Sequence, residues 1–478
     1  MSIWNKNIKE RKRNILDKNI SVDILIIGAG ITGMTSAYYL KDKDICVVDS
    51  NKVGYGSTLN STAKINFLQE RVYNKIINLR SRKVATSYLN SQLDAINFIK
   101  EIIEKNNIDC DFKKVASYLI ATKESEVEPL KLEIDFLLEN NIDIKEKKLP
   151  FNINYYNSYM SFNTYIFNPI KYLEGLYNLL KDKIEIYEYT KIIKINKEKD
   201  YYICYTDKYK IKANKIVLAC HYPYFTLPFL LPFKSTIEKS YIIISKINKD
   251  LKYTFINTNK PTYSCRFYSD KDNIYQISLS ESHDISFKQN DKDNFKKVID
   301  KFNIKEENIV MKYSNTDIMT LDHIPYIGRL KDNMYIGTGY NTWGMTNGVL
   351  AAKIISDMII KKENKYIKIF DPNRFNISNV IKLPIIIFNQ TKSFIGTKIY
   401  KNKYWYSNKI NIINKKLKSY GVYIDKNGKH IVKNKCPNLG CTLVFNEVEI
   451  TWDCPCHSSR FDIDGKCIKG PSNYDISI

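Results

Sequence analysis

Two groups of residues in this chain have the types and spacing that chemistry requires. The first is Gly28-Ala29-Gly30-Ile31-Thr32-Gly33, directly after the apolar run Ile24-Leu25-Ile26-Ile27. Glycines at this spacing allow a tight turn, a close approach of backbone N–H groups to a pyrophosphate, and close packing of the following helix, whose N-terminus faces the phosphate charge. A second apolar run, Ile45-Cys46-Val47-Val48, ends in Asp49, an acid about 20 residues beyond the glycines and suited to accept from a ribose hydroxyl. The second group is a crowding of Cys436, Cys441, Cys454, Cys456 and Cys467 into the last stretch, which reads as a site. The remaining cysteines, Cys46, Cys110, Cys204, Cys220 and Cys265, are scattered and read as reduced core thiols.

The elements that must position these groups emerge from periodicity. Ile24–Ile27 reads as a buried parallel strand running into a helix, and Gly54 to Lys64 supplies small, hydroxyl-bearing residues that line a cofactor without steric cost. Apolar residues recur at helical spacing from Arg82 to Glu104, and a further helix is expected over Glu126 to Glu139, with a short strand at Tyr118 to Ala121. Between Ile184 and Cys220 the pattern becomes a β-meander, with strands over Ile184 to Asn196, Tyr201 to Tyr205, Tyr209 to Ile211 and Lys215 to Cys220. A second set, Ser240 to Ile247, Tyr253 to Asn257, Tyr263 to Tyr268 and Ile274 to Leu279, suggests an antiparallel sheet roofing a substrate cavity. Met334 to Thr346 again reads strand, glycine-rich turn and helix, with the helix over Asn347 to Lys361 offering an N-terminus of partial positive charge.

With 478 residues the chain holds two or three domains. No apolar run approaches the roughly 18 residues needed to span a bilayer; Leu383 to Phe388 is far too short. The polar, basic start without a signal-peptide core favours a cytoplasmic location. The net charge of +23 invites a nucleic-acid reading, but the lysine excess runs along the whole chain and arginine is scarce, so no nucleic-acid partner is expected. Arg11 to Arg13 and Lys415 to Lys418 read as solvated surface.

The Gly28 fingerprint, the Gly54 to Lys64 segment, the Asp317 to Gly328 segment and the Gly337 to Thr346 segment, in this order, resemble the D-amino-acid-oxidase-type FAD-dependent oxidoreductases. Trp343-Gly344-Met345-Thr346 and Phe370-Asp371-Pro372-Asn373-Arg374 are similar to a bacterial subgroup carrying a fused C-terminal Rieske domain. The resemblance implies that Gly28, Gly30, Thr32, Gly33, Asp49, Ser57, Thr58, Ala63, Lys64, Gly339, Gly344, Met345 and Thr346 line FAD, with Ile192 a candidate for the adenine pocket. No second G-x-G-x-x-G follows a strand, so the flavin is expected to take its electrons directly from an organic substrate. Arg266, His323 and His283 are the polar residues first placed in the substrate cavity. Arg266 reads equally as a carboxylate clamp or a solvated strand residue, and each histidine as a catalyst or a hydrogen-bonded structural residue.

Cys436-Pro437-Asn438-Leu439-Gly440-Cys441 and Cys454-Pro455-Cys456-His457 resemble the two ligand loops of a Rieske [2Fe–2S] domain, C-x-H-x-G-C and C-P-C-H. The resemblance makes Cys436 and Cys454 the thiolate ligands, His457 one imidazole, and Cys441 with Cys456 a disulfide. Asn438 stands where the other histidine belongs, and a neutral carboxamide is a poor iron donor. His430, the other histidine of the module, falls in an expected strand. Three readings stay open: a cluster with altered ligation, a metal-free Rieske fold, and a zinc site.

The expected architecture is an α/β FAD-binding Rossmann-type domain with an inserted α+β substrate domain, followed by a small all-β Rieske-like domain. The oxidoreductase occupies residues 1–377, with FAD-binding parts near 21–70, 184–225 and 315–362 and substrate-domain parts near 71–183 and 226–314. Residues 378–402 form the linker and 403–478 the Rieske-like domain. The expected function is oxidation of a small amine or amino-acid-like substrate by hydride transfer to flavin, with electrons leaving to oxygen or through the C-terminal module to a one-electron acceptor protein. The alternative is a flavoprotein oxidase whose module, altered at Asn438, is a cluster-free docking or structural unit.

Overall fold

Ile20–Ile27 lies at the middle of the main sheet because its inner residues have no polar side chain to keep in water: Leu25 and Ile26 are completely buried. The computed structural model describes residues 2–6, 11–12, 14–222, 234–270, 272–285, 290–374, 409–415, 418–438 and 440–478. The expected linker, residues 378–402, and the run Leu383 to Phe388 lie outside them.

The main sheet has 8 strands. Ile20–Ile27 pairs in parallel with Ile45–Val48 on one side and with Lys210–Leu218 on the other; Glu185–Tyr187 and Met334–Thr338 extend the two sides, again in parallel. Tyr326–Lys331 closes one edge antiparallel to Met334–Thr338. The helix Ile31–Tyr39, the crossover between the parallel strands Ile20–Ile27 and Ile45–Val48, packs on Gly344–Ile359, which follows the last strand of the sheet. The second of these is the helix expected over Asn347 to Lys361; it begins three residues earlier, at Gly344.

The meander departs from the expected strand over Ile184 to Asn196. Glu185–Tyr187 joins the parallel sheet, Lys194–Lys197 starts the hairpin with Tyr202–Tyr205, and the residues between turn away. Tyr189 takes φ +51°, Thr190 N–H bonds the Asp49 carbonyl, and the buried Glu188 carboxylate accepts from Val53 N–H and Arg11, so polar groups break the run.

The inserted domain is a 9-stranded sheet backed by Val127–Glu139 and Asp291–Phe302, while Arg82–Lys105 packs on Gly344–Ile359 and Val72–Leu79. It is mixed rather than antiparallel throughout: Tyr253–Asn257 runs parallel to Lys113–Ala121 and thereby joins the two sequence-distant parts of the domain. Its longest strands, Ser235–Ile247 and Ile309–Thr320, pair along most of their length.

The C-terminal unit consists of a 3-stranded and a 4-stranded sheet. Its core is Trp452, Phe461, Val432 and Leu443, and Gly421 is required beneath the indole, since a β-carbon there would sit 2.4 Å from the ring. No helix among the described residues is long and apolar enough to cross a membrane.

Candidate functional site

The glycine turn is built for close approach. Gly28 has φ +109°, and a β-carbon on it would lie 2.7 Å from the Ala219 carbonyl oxygen. At Gly33 the same atom would collide with the Gly28 carbonyl, so the helix Ile31–Tyr39 packs where only glycine fits. Gly30 caps this helix without any side-chain bond of its own. Asp49 accepts from Ala29 N–H at 2.7 Å and from Asn51 N–H at 2.8 Å, and burial pushes its carboxyl up to about 6 despite those bonds. Ile192 is buried two residues beyond Thr190, whose N–H is bonded to the Asp49 carbonyl.

The loop after Asp49 closes over the turn. Thr58 Oγ1 accepts from Ile31 N–H at 3.2 Å, while Ser57 Oγ is buried with no hydrogen-bond partner among the described residues. An orphaned hydroxyl beside a helix N-terminus and a glycine cradle is the donor set that a dinucleotide needs, and FAD fits these residues. The opposite wall is the turn Thr338 to Gly344. Gly339 has φ +71°, Tyr340 OH and Thr32 Oγ1 are 2.8 Å apart, Thr346 Oγ1 accepts from Asn66 N–H at 3.4 Å, and Met345 Sδ lies 3.9 Å from Ser61 Oγ. These contacts bring the segments that carry Thr32, Ala63, Lys64, Gly339, Gly344, Met345 and Thr346 against one another.

Two cations stand at these segments. Lys64 is buried, reaches the Ser264 hydroxyl and lies 5.7 Å over the Trp343 ring; burial brings its ammonium down to about 8. Arg266 is only 1 % exposed, so it is no solvated strand residue. Its Nη1 donates to the carbonyls of Thr62, Ala63 and Phe167 at 2.9, 2.6 and 3.2 Å, which fixes the backbone just before Lys64, and burial lowers its guanidinium to about 9. Neither side chain has an ion-pair partner among the described residues. Residues 2–5 strap the same loop: Ser2 Oγ bonds the Leu59 carbonyl, Trp4 Nε1 bonds the Ser61 carbonyl, and Arg266 lies 4.9 Å over the Trp4 ring.

His283 lies near the end of Ile274–Asp284, an interior strand of the inserted sheet, 3.1 Å from Tyr241 OH, which in turn donates to Asp291. His323, at φ +60°, sits in the turn directly after Asp322. Asp322, which carries no mark of its role in the sequence, is completely buried between Arg374 and Arg80; burial opposes its charge, yet the two guanidinium groups hold it below the usual carboxylate range. The available signal is Arg374, an arginine closing the Phe370 to Arg374 motif in a chain where lysine far outnumbers arginine.

In the C-terminal unit the two cysteine loops meet. Cys441 and Cys456 form a disulfide. The Cys454 thiol is hydrogen-bonded to Cys436, and that bond, with burial, raises it well above its ordinary value. Each loop closes on itself, Cys436 N–H to the Cys441 carbonyl at 2.8 Å and Cys454 N–H to the Ser459 carbonyl at 2.7 Å. Asn438 Oδ1 is buried without a hydrogen-bond partner among the described residues. Cys436, Cys454 and His457 are the donor types that a Rieske centre takes, and Asn438 offers a buried amide oxygen at the loop position where the other imidazole belongs. His430 does not replace it: that ring bonds Asp464 at 2.7 Å and Asp425 at 3.2 Å. The disulfide also leaves zinc a poor thiolate set, since Cys467 points at the carbonyls of Lys469 and Ser472.

This unit is docked on the rest of the chain by the same loops. Ser458 Oγ meets Thr316 Oγ1 at 3.1 Å, Lys469 Nζ bonds Asn315 Oδ1 and Thr316 Oγ1 at 3.1 and 2.9 Å, and Arg460 bonds Ser314 at 2.8 Å while paired with Glu449 and Asp453. The His457 ring lies 5.9 Å from the ring of Tyr222.

The FAD dependent oxidoreductase family model matches residues 23–358, and the Rieske [2Fe-2S] domain model matches residues 400–477. The chain is 28% identical over 478 residues to a Rieske 2Fe-2S iron-sulfur protein of Bacillus subtilis, YhfW, covering 96% of this chain and 93% of that one. It is 20% identical to the gamma-glutamylputrescine oxidoreductase of Escherichia coli, over 72% of this chain and 85% of that one. Among solved structures, glycine oxidase from Geobacillus kaustophilus matches 74% of this chain and 99% of its own at a TM-score of 0.63 and 16% identity. L-proline dehydrogenase from P. horikoshii matches 75% and 98% at a TM-score of 0.60 and 16% identity. These two structures share the fold of about three quarters of the chain.

Proposed function

Because the chain belongs to the FAD-dependent oxidoreductase (DAO) family and carries a Rieske [2Fe-2S] domain behind it, we propose that it oxidises a small amino-acid-like amine and passes the electrons to its own C-terminal module. The observation that carries the substrate class is the pair of buried cations, Lys64 and Arg266, with no acid paired to either among the described residues. Buried charge is costly unless compensated, so the space beside Trp343 favours an anion such as a substrate carboxylate.

When bound, FAD supplies a hydride acceptor and the Rieske centre a one-electron relay. The chain's own residues do the holding. Asp49, Ser57 and Thr58 with the Gly28 to Gly33 backbone would bind the dinucleotide. Gly339, Gly344, Met345 and Thr346 would form the wall by the reacting ring, with the helix N-terminus at Gly344 presenting partial positive charge. Arg266 orients the Ala63-Lys64 backbone, and Trp343, nearly buried, keeps water from the Lys64 ammonium.

Anaerobic mixing of the flavin-loaded protein with paired compounds tests this: amino acids against the same amines lacking the carboxylate. Bleaching of the flavin is expected with members of the first set alone, and Lys64→Met should raise their KM more than it lowers kcat. Equal bleaching by the decarboxylated amines would overturn the substrate class. Asn438 favours one second reading, a flavoprotein oxidase with a cluster-free module. Iron and acid-labile sulfide separate the two, with about two irons per chain expected for the relay.

A further inference from the structure

The strand Lys210–Leu218 ends against the dinucleotide turn, and the four residues after it run from there to the cysteine loops. Ala219 lies against Gly28 and donates its N–H to the Ile27 carbonyl at 2.9 Å. Two residues on, the His221 carbonyl accepts from Thr338 Oγ1 at 2.9 Å, immediately before Gly339. The His221 ring is bonded to the backbone of Thr316, the residue whose hydroxyl touches Ser458 and Lys469. Tyr222 then places its ring 5.9 Å from that of His457, tilted by 57°. Between Ala219 and Tyr222, the chain touches both glycine turns of the flavin site and the imidazole of the cysteine loop.

We propose that His221-Tyr222 is a fixed electron-transfer junction, and that the Rieske unit exchanges electrons with the flavin of the same chain through its His457 corner. This rests on the relay proposed as the function and adds its route. The clamp around the junction argues for a fixed dock: Arg460 joins Glu449 and Asp453 to Ser314, Lys469 is held between Asn315 and Thr316, Lys239 pairs with Asp291 and lies 3.7 Å from Asp453, and Lys191 bonds the Ser472 carbonyl. A half-buried arginine and lysine, each with several partners, hold geometry better than exposed pairs do. The electron balance is simple. One substrate molecule leaves two electrons on the flavin; they cross singly, each converting one ferric iron to ferrous, and each is removed by a one-electron acceptor before the next crosses. The flavin's proton goes to solvent.

The test uses the full chain with both cofactors, reduced anaerobically by a laser flash with 5-deazariboflavin and EDTA, so that no substrate is needed. Flavin and cluster signals are followed separately, after iron, sulfide and flavin contents and both midpoint potentials have been measured. Transfer in the wild type should be first-order and independent of protein concentration. Tyr222→Leu should slow it by an order of magnitude or more with contents and potentials unchanged, and Tyr222→Phe, which keeps the ring, should restore it. An unchanged rate in a cluster-bearing Tyr222→Leu protein, or a rate proportional to protein concentration, would overturn the junction alone. A wild-type chain without iron and sulfide would overturn the relay and the junction together.

Discussion

Asp322 and Arg374 are joined by two hydrogen bonds, Nη2 to Oδ1 at 2.8 Å and Nε to Oδ2 at 2.9 Å, with side chains 0% and 4% exposed. Arg374 also donates to the carbonyls of Ile324, Pro325, Phe370 and Asp371, so it pins the turn after Thr320 to the end of the Gly344–Ile359 layer. Replacing Arg374 by alanine leaves Asp322 buried with only Arg80, and should cost about 3–5 kcal/mol of stability, the usual penalty for orphaning one partner of a buried pair. Chemical denaturation checks it; a loss no larger than that of an exposed ion pair would show the pin to be dispensable.

Gly28→Ala places a methyl group against the Ala219 carbonyl at a φ of +109°. The expected result is a folded chain that no longer retains flavin, because the turn must open to admit the methyl and its N–H groups then miss the pyrophosphate. Flavin content per chain after purification, with circular dichroism as the control, reads this directly. Retention of a full complement would show that the pyrophosphate is held elsewhere.

Asn438→His restores the imidazole that a Rieske loop ordinarily carries opposite His457. Iron and sulfide per chain should rise, and the reduced centre should give a different EPR spectrum from the wild type. Equal occupancy and an identical spectrum would mean that residue 438 does not touch the cluster.

Glu133 is buried under Val72–Leu79, accepting from Tyr73 N–H, Asn74 N–H and Asn74 Nδ2 at 3.0, 2.9 and 2.7 Å. Burial raises its carboxyl from 4.5 to about 7, outweighing the three donors. The folded chain thus keeps a proton that the unfolded chain releases, so stability falls as pH rises between those values. Between about pH 5 and about pH 8, Glu133→Gln should show a smaller drop in Tm than the wild type, because the amide has no proton to lose. Parallel Tm profiles for the two proteins would contradict this.

The flavin turn was legible because its determinants are local. Ile24 to Gly33 specifies strand, turn and helix within ten residues, and the structure places Gly28 and Gly33 where no side chain fits. The cysteine loops were legible for the same reason, and Cys441 and Cys456 are joined as the resemblance implied. Arg266 shows the limit. Strand periodicity gives the face on which a side chain lies, but its partners, Thr62, Ala63 and Phe167, come from segments 99 to 204 residues away. Asp322 with Arg374, and Tyr222 with His457, are likewise pairs whose members carry no mark of each other in sequence. The strand expected over Ile184 to Asn196 failed because Glu188 and Thr190 satisfy neighbouring backbone groups instead of continuing the ladder.

The strap formed by residues 2–5 bears on the order of assembly. Its partners Leu59, Ser61, Asn168 and Arg266 are made long after it, the last more than half the chain later. Loop closure over such separations is slow, and the contacts reward it only once the inserted sheet exists. During synthesis Ile3 and Trp4 therefore remain without their hydrophobic seat, available to a chaperone, until the strand carrying Arg266 has been added. The earliest-made contact residues of the cofactor loop are among the last to be buried.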